Sequence, residues 1–235
     1  MLLYLSLFIA IVLIATITKL TQIFKLSRIW ELVGQISASL LIIIFGKLDF
    51  SYFNLIYGDH IQFGYLTIPF SVLFIVGFTN VMNMETKQNH LILLLPCVSL
   101  VCLSILAFIM GDSVVSITGI SASLMIMLIL LYSYYSNKLF VGRTLTMSIG
   151  FIIAVLSLAL KTVYIPIFVL ALPLALYYLI QNKFTNVQSI SISSLIAIIF
   201  SVLMFVVPSE VIWYLVVGLT VILVITQFFR KYRFI

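Results

Sequence analysis

Long apolar runs alternate with short polar connections from one end of the chain to the other. A hydrocarbon core about 30 Å thick takes about 20 residues of helix. By that measure, transmembrane helices are expected near 1–18, 30–46, 66–83, 91–110, 114–135, 144–160, 163–180, 189–207 and 210–228. The expected fold class is all-α, a polytopic membrane helical bundle of about nine spans, with residues 1–235 forming one integral-membrane domain. Nothing between the runs is polar enough to be an independent soluble domain, and the runs at 144–160 and 163–180 are joined by almost nothing.

Local punctuation refines this pattern. Pro69, Pro96, Pro166 and Pro173 lie in or at the start of spans. Proline frees a backbone carbonyl and kinks a helix, which a membrane bundle tolerates when neighbours satisfy the group. Pro166 and Pro173 share the stretch "IPIFVLALPLALYY", so a bend is expected there. The connection 47–65, "KLDFSYFNLIYGDHIQFGY", is rich in aromatics around a turn-like Gly58-Asp59. It reads as a small hairpin or an interfacial segment. His60 within it has no partner in sequence, and a surface or interfacial role outweighs a metal-ligand role.

Composition supports the membrane reading: 64% of residues are hydrophobic and 8% charged, against about a quarter charged in soluble domains. The net charge of +6 does not point to nucleic acid, because only "RKYR" at 230–233 is densely basic. That cluster ends an apolar run, as a cytoplasmic anchor beside anionic lipid would. With the amino terminus outside, Lys19, Lys25, Arg28, Lys87, Lys138, Arg143, Lys183, Arg230, Lys231 and Arg233 all fall inside, and only Lys47 and Lys161 fall outside. This bias predicts an outside amino terminus and a cytoplasmic carboxy terminus. The first run lacks the basic leading region of a signal peptide. Cys97 and Cys102 sit in an apolar run without CxxC spacing and read as small packing residues.

The polar residues concentrate in three connections: "KLTQIFKLSRIWE" (19–31), "NVMNMETKQNH" (80–90) and "SNKLFVGRT" (136–144). All three are expected on the cytoplasmic face and can converge into one site. Their cations Lys25, Arg28, Lys87, Lys138 and Arg143 read either as ordinary anchoring or as an anion-binding surface. Asn80 and Asn83, one turn apart, share a helix face. Buried there, two amides require hydrogen-bond partners or a ligand. The chain has no Walker loop, no GxSxG, no His-rich cluster and no pair of intramembrane acids. Only Glu31 and Glu85 supply carboxylates in these connections, whereas Mg²⁺ prefers carboxylates together with substrate phosphates.

Three stretches carry a family resemblance. "TQIFKLSRIWELVGQ" (21–35) resembles a paired-aspartate segment, DDxxxLSxxxKLLGQ, and retains Leu26, Ser27, Leu32, Gly34 and Gln35. "LTIPFSVLFIVGFTNVMNMETKQNHL" (66–91) resembles a span leading into NxxNxxDGxDGL, retaining Asn80, Asn83 and Leu91. "NKLFVGRTLTMSIGF" (137–151) resembles K-x-F-M-G-D-[ST]-G-S-x-x-L-G, retaining Lys138, Phe140, Gly142, Thr144 and Gly150. In these motifs the chain is similar to the polyprenyl-phosphate N-acetylhexosamine-1-phosphate transferases. Those membrane enzymes move a sugar-1-phosphate from a UDP-sugar to a lipid-phosphate carrier in cell-wall and teichoic-acid synthesis, with Mg²⁺ held on the cytoplasmic face. The similarity covers about the first two-thirds of the chain, starting at the family's third span.

The departures are systematic. The family's adjacent aspartates fall on Thr21 and Gln22, those of DGxDG on Thr86 and Asn89, and the aspartate after the glycine on Arg143. The glycines of DGxDG fall on Lys87 and His90, and the later His-rich loop is replaced by "QNKFTNVQ". The resemblance therefore implies a pseudoenzyme with no catalytic residues, no metal ligands and no cofactor, its Mg²⁺ site being lost. It implies a polyprenyl-phosphate carrier, such as undecaprenyl phosphate, as the lipid partner. The hypothetical phosphate-binding residues are Arg143, Lys138, Lys87, Asn80 and Asn83. Arg143 has two readings, a guanidinium that holds phosphate without metal or an arginine snorkelling to lipid headgroups. The alternatives are an interaction subunit, as a homodimer or paired with an active transferase or wall-assembly protein, and residual Mg²⁺-dependent transfer through Glu31 and Glu85. The resemblance also implies the plasma membrane of a Gram-positive bacterium.

Overall fold

A computed structural model describes residues 2–48, 52–54, 60–62, 64–83, 90–136, 142–181 and 183–232. The described residues contain nine helices: α1 (Leu2–Ile23), α2 (Arg28–Gly46), α3 (Thr67–Val81), α4 (Leu94–Ile109), α5 (Ser113–Ser136), α6 (Arg143–Ala159), α7 (Tyr164–Ile180), α8 (Asn186–Val206) and α9 (Ser209–Tyr232). Helices α1, α2, α5 and α8, and α3 and α4 each with the short turn before it, are long and apolar enough to cross a membrane; α6, α7 and much of α9 are shorter apolar helices. The protein is an all-α, multi-pass membrane bundle. Its helices keep apolar side chains on their outer faces, as at Phe8, Leu73, Phe108 and Leu195. A helix surrounded by lipid rather than water has no reason to segregate polar residues outward.

The connection after α2 contains a hairpin. β1 (Tyr52–Asn54) pairs antiparallel with β2 (His60–Gln62), Tyr52 opposite Gln62 and Asn54 opposite His60. The Gly58-Asp59 turn proposed for it lies outside the described residues.

Contacts group the chain into two units, residues 1–88 with 137–162 and residues 89–136 with 163–235. In the first, α1 packs on α2 and α6, and α3 packs on the same two helices. Two glycines permit the closest approaches. A Cβ on Gly34 of α2 would stand 2.8 Å from the Ile17 side chain of α1, and one on Gly150 of α6 would stand 2.7 Å from the carbonyl oxygen of Phe78 on α3. The turn from α1 to α2 is closed by Lys25 in the left-handed region, φ 50°, and by the Leu26 amide donating to the Thr21 carbonyl at 3.0 Å. That six-residue return is the Schellman stop, and Lys161 repeats it after α6, where the Thr162 amide donates to the Ser157 carbonyl. The stop after α1 reverses the chain within a few residues, so that α2 packs back on α1.

In the second unit, α4 packs on α5, α7 and α8, and α7 packs on α8 and α9. Phe168, Leu172, Ile212 and Val216 form one of its buried clusters, with Phe168 stacked on Phe200 at 4.2 Å. The stretch with two prolines is helical, but residues Ile167–Ala171 widen into a π-turn. Pro173 has no N–H to give the Val169 carbonyl, so the ladder must locally change its step there. Thr185 caps α8 reciprocally with Gln188. Cys97 and Cys102 are free thiols packed within α4; Cys102 is buried, and the Cys97 thiol points at the Ser123 carbonyl, 3.8 Å away.

Candidate functional site

The site belongs wholly to the first unit, at the end where α1 stops, α2 and α6 start, and α3 stops. Each residue is placed by helix geometry. Thr21 lies in the last turn of α1, Glu31 in the first turn of α2, and Gln35 one turn further on. Asn80 is in the last turn of α3 and Asn83 just beyond it, while Arg143 is the first residue of α6.

These side chains form two connected polar groups. The Glu31 carboxylate, 6% exposed, takes Nη2 of Arg143 at 2.6 Å on one oxygen. Its other oxygen accepts from the Thr21 hydroxyl at 3.0 Å. That hydroxyl also lies 2.8 Å from the Thr18 carbonyl, so its single proton is shared between two acceptors. Arg143, whose side chain is 15% exposed, donates through Nε to the Asn83 side-chain oxygen. One turn further along these helices, the amides of Gln35 and Asn80 face each other; Gln35 is buried, but Asn80, expected to be buried, is exposed. Asn80 donates to Gln35 at 2.7 Å, and Gln35 returns a longer bond at 3.4 Å. Asn80 also donates to the Val76 carbonyl at 2.9 Å.

The electrostatics explain the pairing. A cation at the first residue of a helix opposes the positive end of the macrodipole, whereas an anion in the first turn is favoured. Glu31 therefore suits its place on α2 and also compensates Arg143, which does not suit its place on α6. Two charges withdrawn from solvent at this depth need each other. Removing one partner of such a pair costs about 3–5 kcal/mol, chiefly because the survivor is left uncompensated.

The three polar connections do converge, through Thr21, Glu31, Asn83 and Arg143. Of the anticipated phosphate-binding residues, Asn80, Asn83 and Arg143 come to this end, and each has a protein partner. Lys87 and Lys138 lie outside the described residues, as do Glu85, Thr86 and Asn89. Glu31 enters as the counter-ion of Arg143 and Gln35 as the partner of Asn80. Glu31 had a sequence signal, since a lone acid beside an apolar run needs a cation, and Arg28 three residues earlier was the local candidate. Which cation it meets was not written in its neighbourhood.

The described residues do not fit a magnesium ion. Mg²⁺ wants near-octahedral oxygen ligands including carboxylates. The one carboxylate here is already held by a guanidinium and a hydroxyl, and no group of three His, Cys, Asp or Glu able to hold a metal occurs among the described residues.

The amide pair gives a direct test. Replacing Asn80 by alanine leaves the buried Gln35 without its partner and lowers stability by about 1–3 kcal/mol. In a double-mutant cycle with Gln35→Ala, the second substitution costs much less than it does alone. Thermal unfolding of the four proteins in one detergent checks this; additive losses would show that the two amides do not support each other.

Residues 4–161 match the model of glycosyl transferase family 4. The chain is 25% identical over 177 residues to the "Probable undecaprenyl-phosphate N-acetylglucosaminyl 1-phosphate transferase" of Bacillus subtilis (strain 168), covering 72% of this chain and 49% of that protein. It is 29% identical over 119 residues to the "Phospho-N-acetylmuramoyl-pentapeptide-transferase" of Staphylococcus carnosus (strain TM300), covering 46% of this chain and 37% of that one. The enzyme of that name from Streptococcus thermophilus (strain CNRZ 1066) is 28% identical over 104 residues, 44% of this chain and 31% of that protein. The matched regions amount to half or less of these relatives' length.

Proposed function

Because the chain belongs to glycosyl transferase family 4, we propose that it is a catalytically inactive member that engages a polyprenyl-phosphate carrier without metal and serves cell-wall polymer assembly. One observation carries this reading: the Arg143–Glu31 ion pair stands at the end of the first unit where the family motifs converge. A guanidinium there supplies fixed positive charge but no open coordination positions. It can stabilise an anion, yet it cannot supply the Lewis-acid assistance that phosphoryl transfer draws from divalent cations.

The same ion pair sets the terms for carrier binding. With Glu31 as counter-ion, the pair is close to neutral, so a lipid phosphate must add to it or displace the carboxylate. Lys87 and Lys138, on the two adjoining connections, would supply the remaining charge. The relatives' names make undecaprenyl phosphate the carrier to try first. A second reading, a subunit that pairs with an active transferase, draws on the same fact: Arg143 already has a protein counter-ion and needs no ligand.

The test uses the purified full chain in detergent. Undecaprenyl phosphate is expected to raise the Tm equally in EDTA and in Mg²⁺, and a UDP-sugar is expected to give no lipid-linked product. Stabilisation that requires Mg²⁺, or product formation, would overturn the proposal in favour of a working enzyme. No stabilisation in either condition, together with co-purification of an active transferase, would establish the subunit reading.

A further inference from the structure

We propose that the turn between α1 and α2 is a docking surface for anionic phospholipid headgroups, built from Lys19, Lys25 and Arg28 around Trp30. The argument begins with exposure. Every residue from Gln22 to Trp30 is exposed, as is Lys19. Among them Ile23, Phe24, Leu26, Ile29 and Trp30 are large apolar side chains. Five such groups, three cations and no carboxylate occupy one short reversal of the chain.

The missing negative charge is a tertiary effect. Glu31 directly follows this stretch, but its carboxylate is buried and spent on Arg143 and Thr21. The surface therefore presents Lys19, Lys25 and Arg28 without a neighbouring counter-ion on the stretch. The turn is also fixed in shape. Lys25 holds a left-handed backbone, φ 50°, and the Leu26 amide closes back on Thr21.

Two apolar helices enter and leave at this turn, so it stands where hydrocarbon gives way to headgroups. Aromatic rings favour that depth, and lysine and arginine reach outward from it. A phosphodiester lipid meets all three demands at once. Its chains cover Ile23, Phe24 and Ile29, its interface suits Trp30, and its phosphate neutralises the cations. A soluble anion would satisfy only the last of these and would leave the apolar groups in water.

The experiment reads lipid composition at Trp30. The chain has two tryptophans, so Trp213→Phe leaves Trp30 as the sole reporter. The full-length protein is placed in nanodiscs of phosphatidylcholine and phosphatidylglycerol, with either lipid brominated near the headgroup. At equal mole fraction, brominated phosphatidylglycerol is expected to quench Trp30 about threefold more effectively than brominated phosphatidylcholine. The variant Lys19→Gln, Lys25→Asn, Arg28→Gln should equalise the two lipids; asparagine is chosen for the left-handed position. All three side chains are exposed, so the variant should unfold at the parent's temperature. Equal quenching by both lipids in the parent would overturn the proposal. A preference that survives in the variant would equally overturn it, by placing the attraction on other cations.

Discussion

Replacing Arg143 by alanine lowers the stability of the protein by about 3–5 kcal/mol, the largest effect expected of any single side chain at the site. The loss comes from Glu31, which remains buried at 6% exposure with only the Thr21 hydroxyl to satisfy it. Glu31→Gln costs less, because Arg143 at 15% exposure can turn toward water or headgroups and keeps Asn83. The informative result is the double variant. Arg143→Met with Glu31→Leu removes both charges and keeps apolar volume, and it should regain most of the stability lost in Arg143→Ala. Thermal unfolding in a single detergent measures the order: parent and double variant high, Glu31→Gln lower, Arg143→Ala lowest. If Arg143→Ala unfolds with the parent, the ion pair contributes nothing, and the arginine is a headgroup-facing residue.

The second large effect is expected at Gly150, where α6 meets the end of α3. A Cβ there would come within 2.7 Å of the Phe78 carbonyl oxygen and 2.8 Å of the Met82 Cβ. Neither obstacle is the free end of a side chain, so the helices themselves must separate. Gly150→Val, which adds two methyl groups beyond that Cβ, should cost at least the upper end of the about 1–3 kcal/mol usual for overpacking. Separation would also draw Asn83 away from Arg143, so Gly150→Val should reduce the further loss caused by Arg143→Ala. Gly77 is the control, because nothing stands within 4 Å of a Cβ built on it. Gly77→Ala should unfold at the parent's temperature or slightly above, since alanine favours helix more than glycine does. Equal losses at the two glycines would mean that α3 and α6 are not in close contact.

The residues retained from the family motifs acquire a common meaning in these terms. Gly34 and Gly150 let helices approach, Gln35 and Asn80 bind each other across α2 and α3, and Asn83 anchors Arg143. They are the joints of the four-helix unit. Thr21 and Arg143, where the resemblance would put aspartates, both belong to the same framework through Glu31.

The helical class was legible in the sequence because a bilayer demands long, uninterrupted apolar stretches, and a demand on length is visible without knowing any neighbour. The two prolines of α7 announced a local irregularity for a similarly local reason, although they produced a π-turn rather than a named angle. The polar end of the first unit was visible as three connections rich in amides and cations. Its wiring was not. Glu31 and Arg143 belong to helices far apart in sequence, and Gln35 meets Asn80 only because α2 lies on α3. Secondary structure follows from periodicity and length, which the amino-acid order carries by itself. A buried charge finds its partner through helix packing, and only the assembled bundle determines which residues are then within 3 Å of one another.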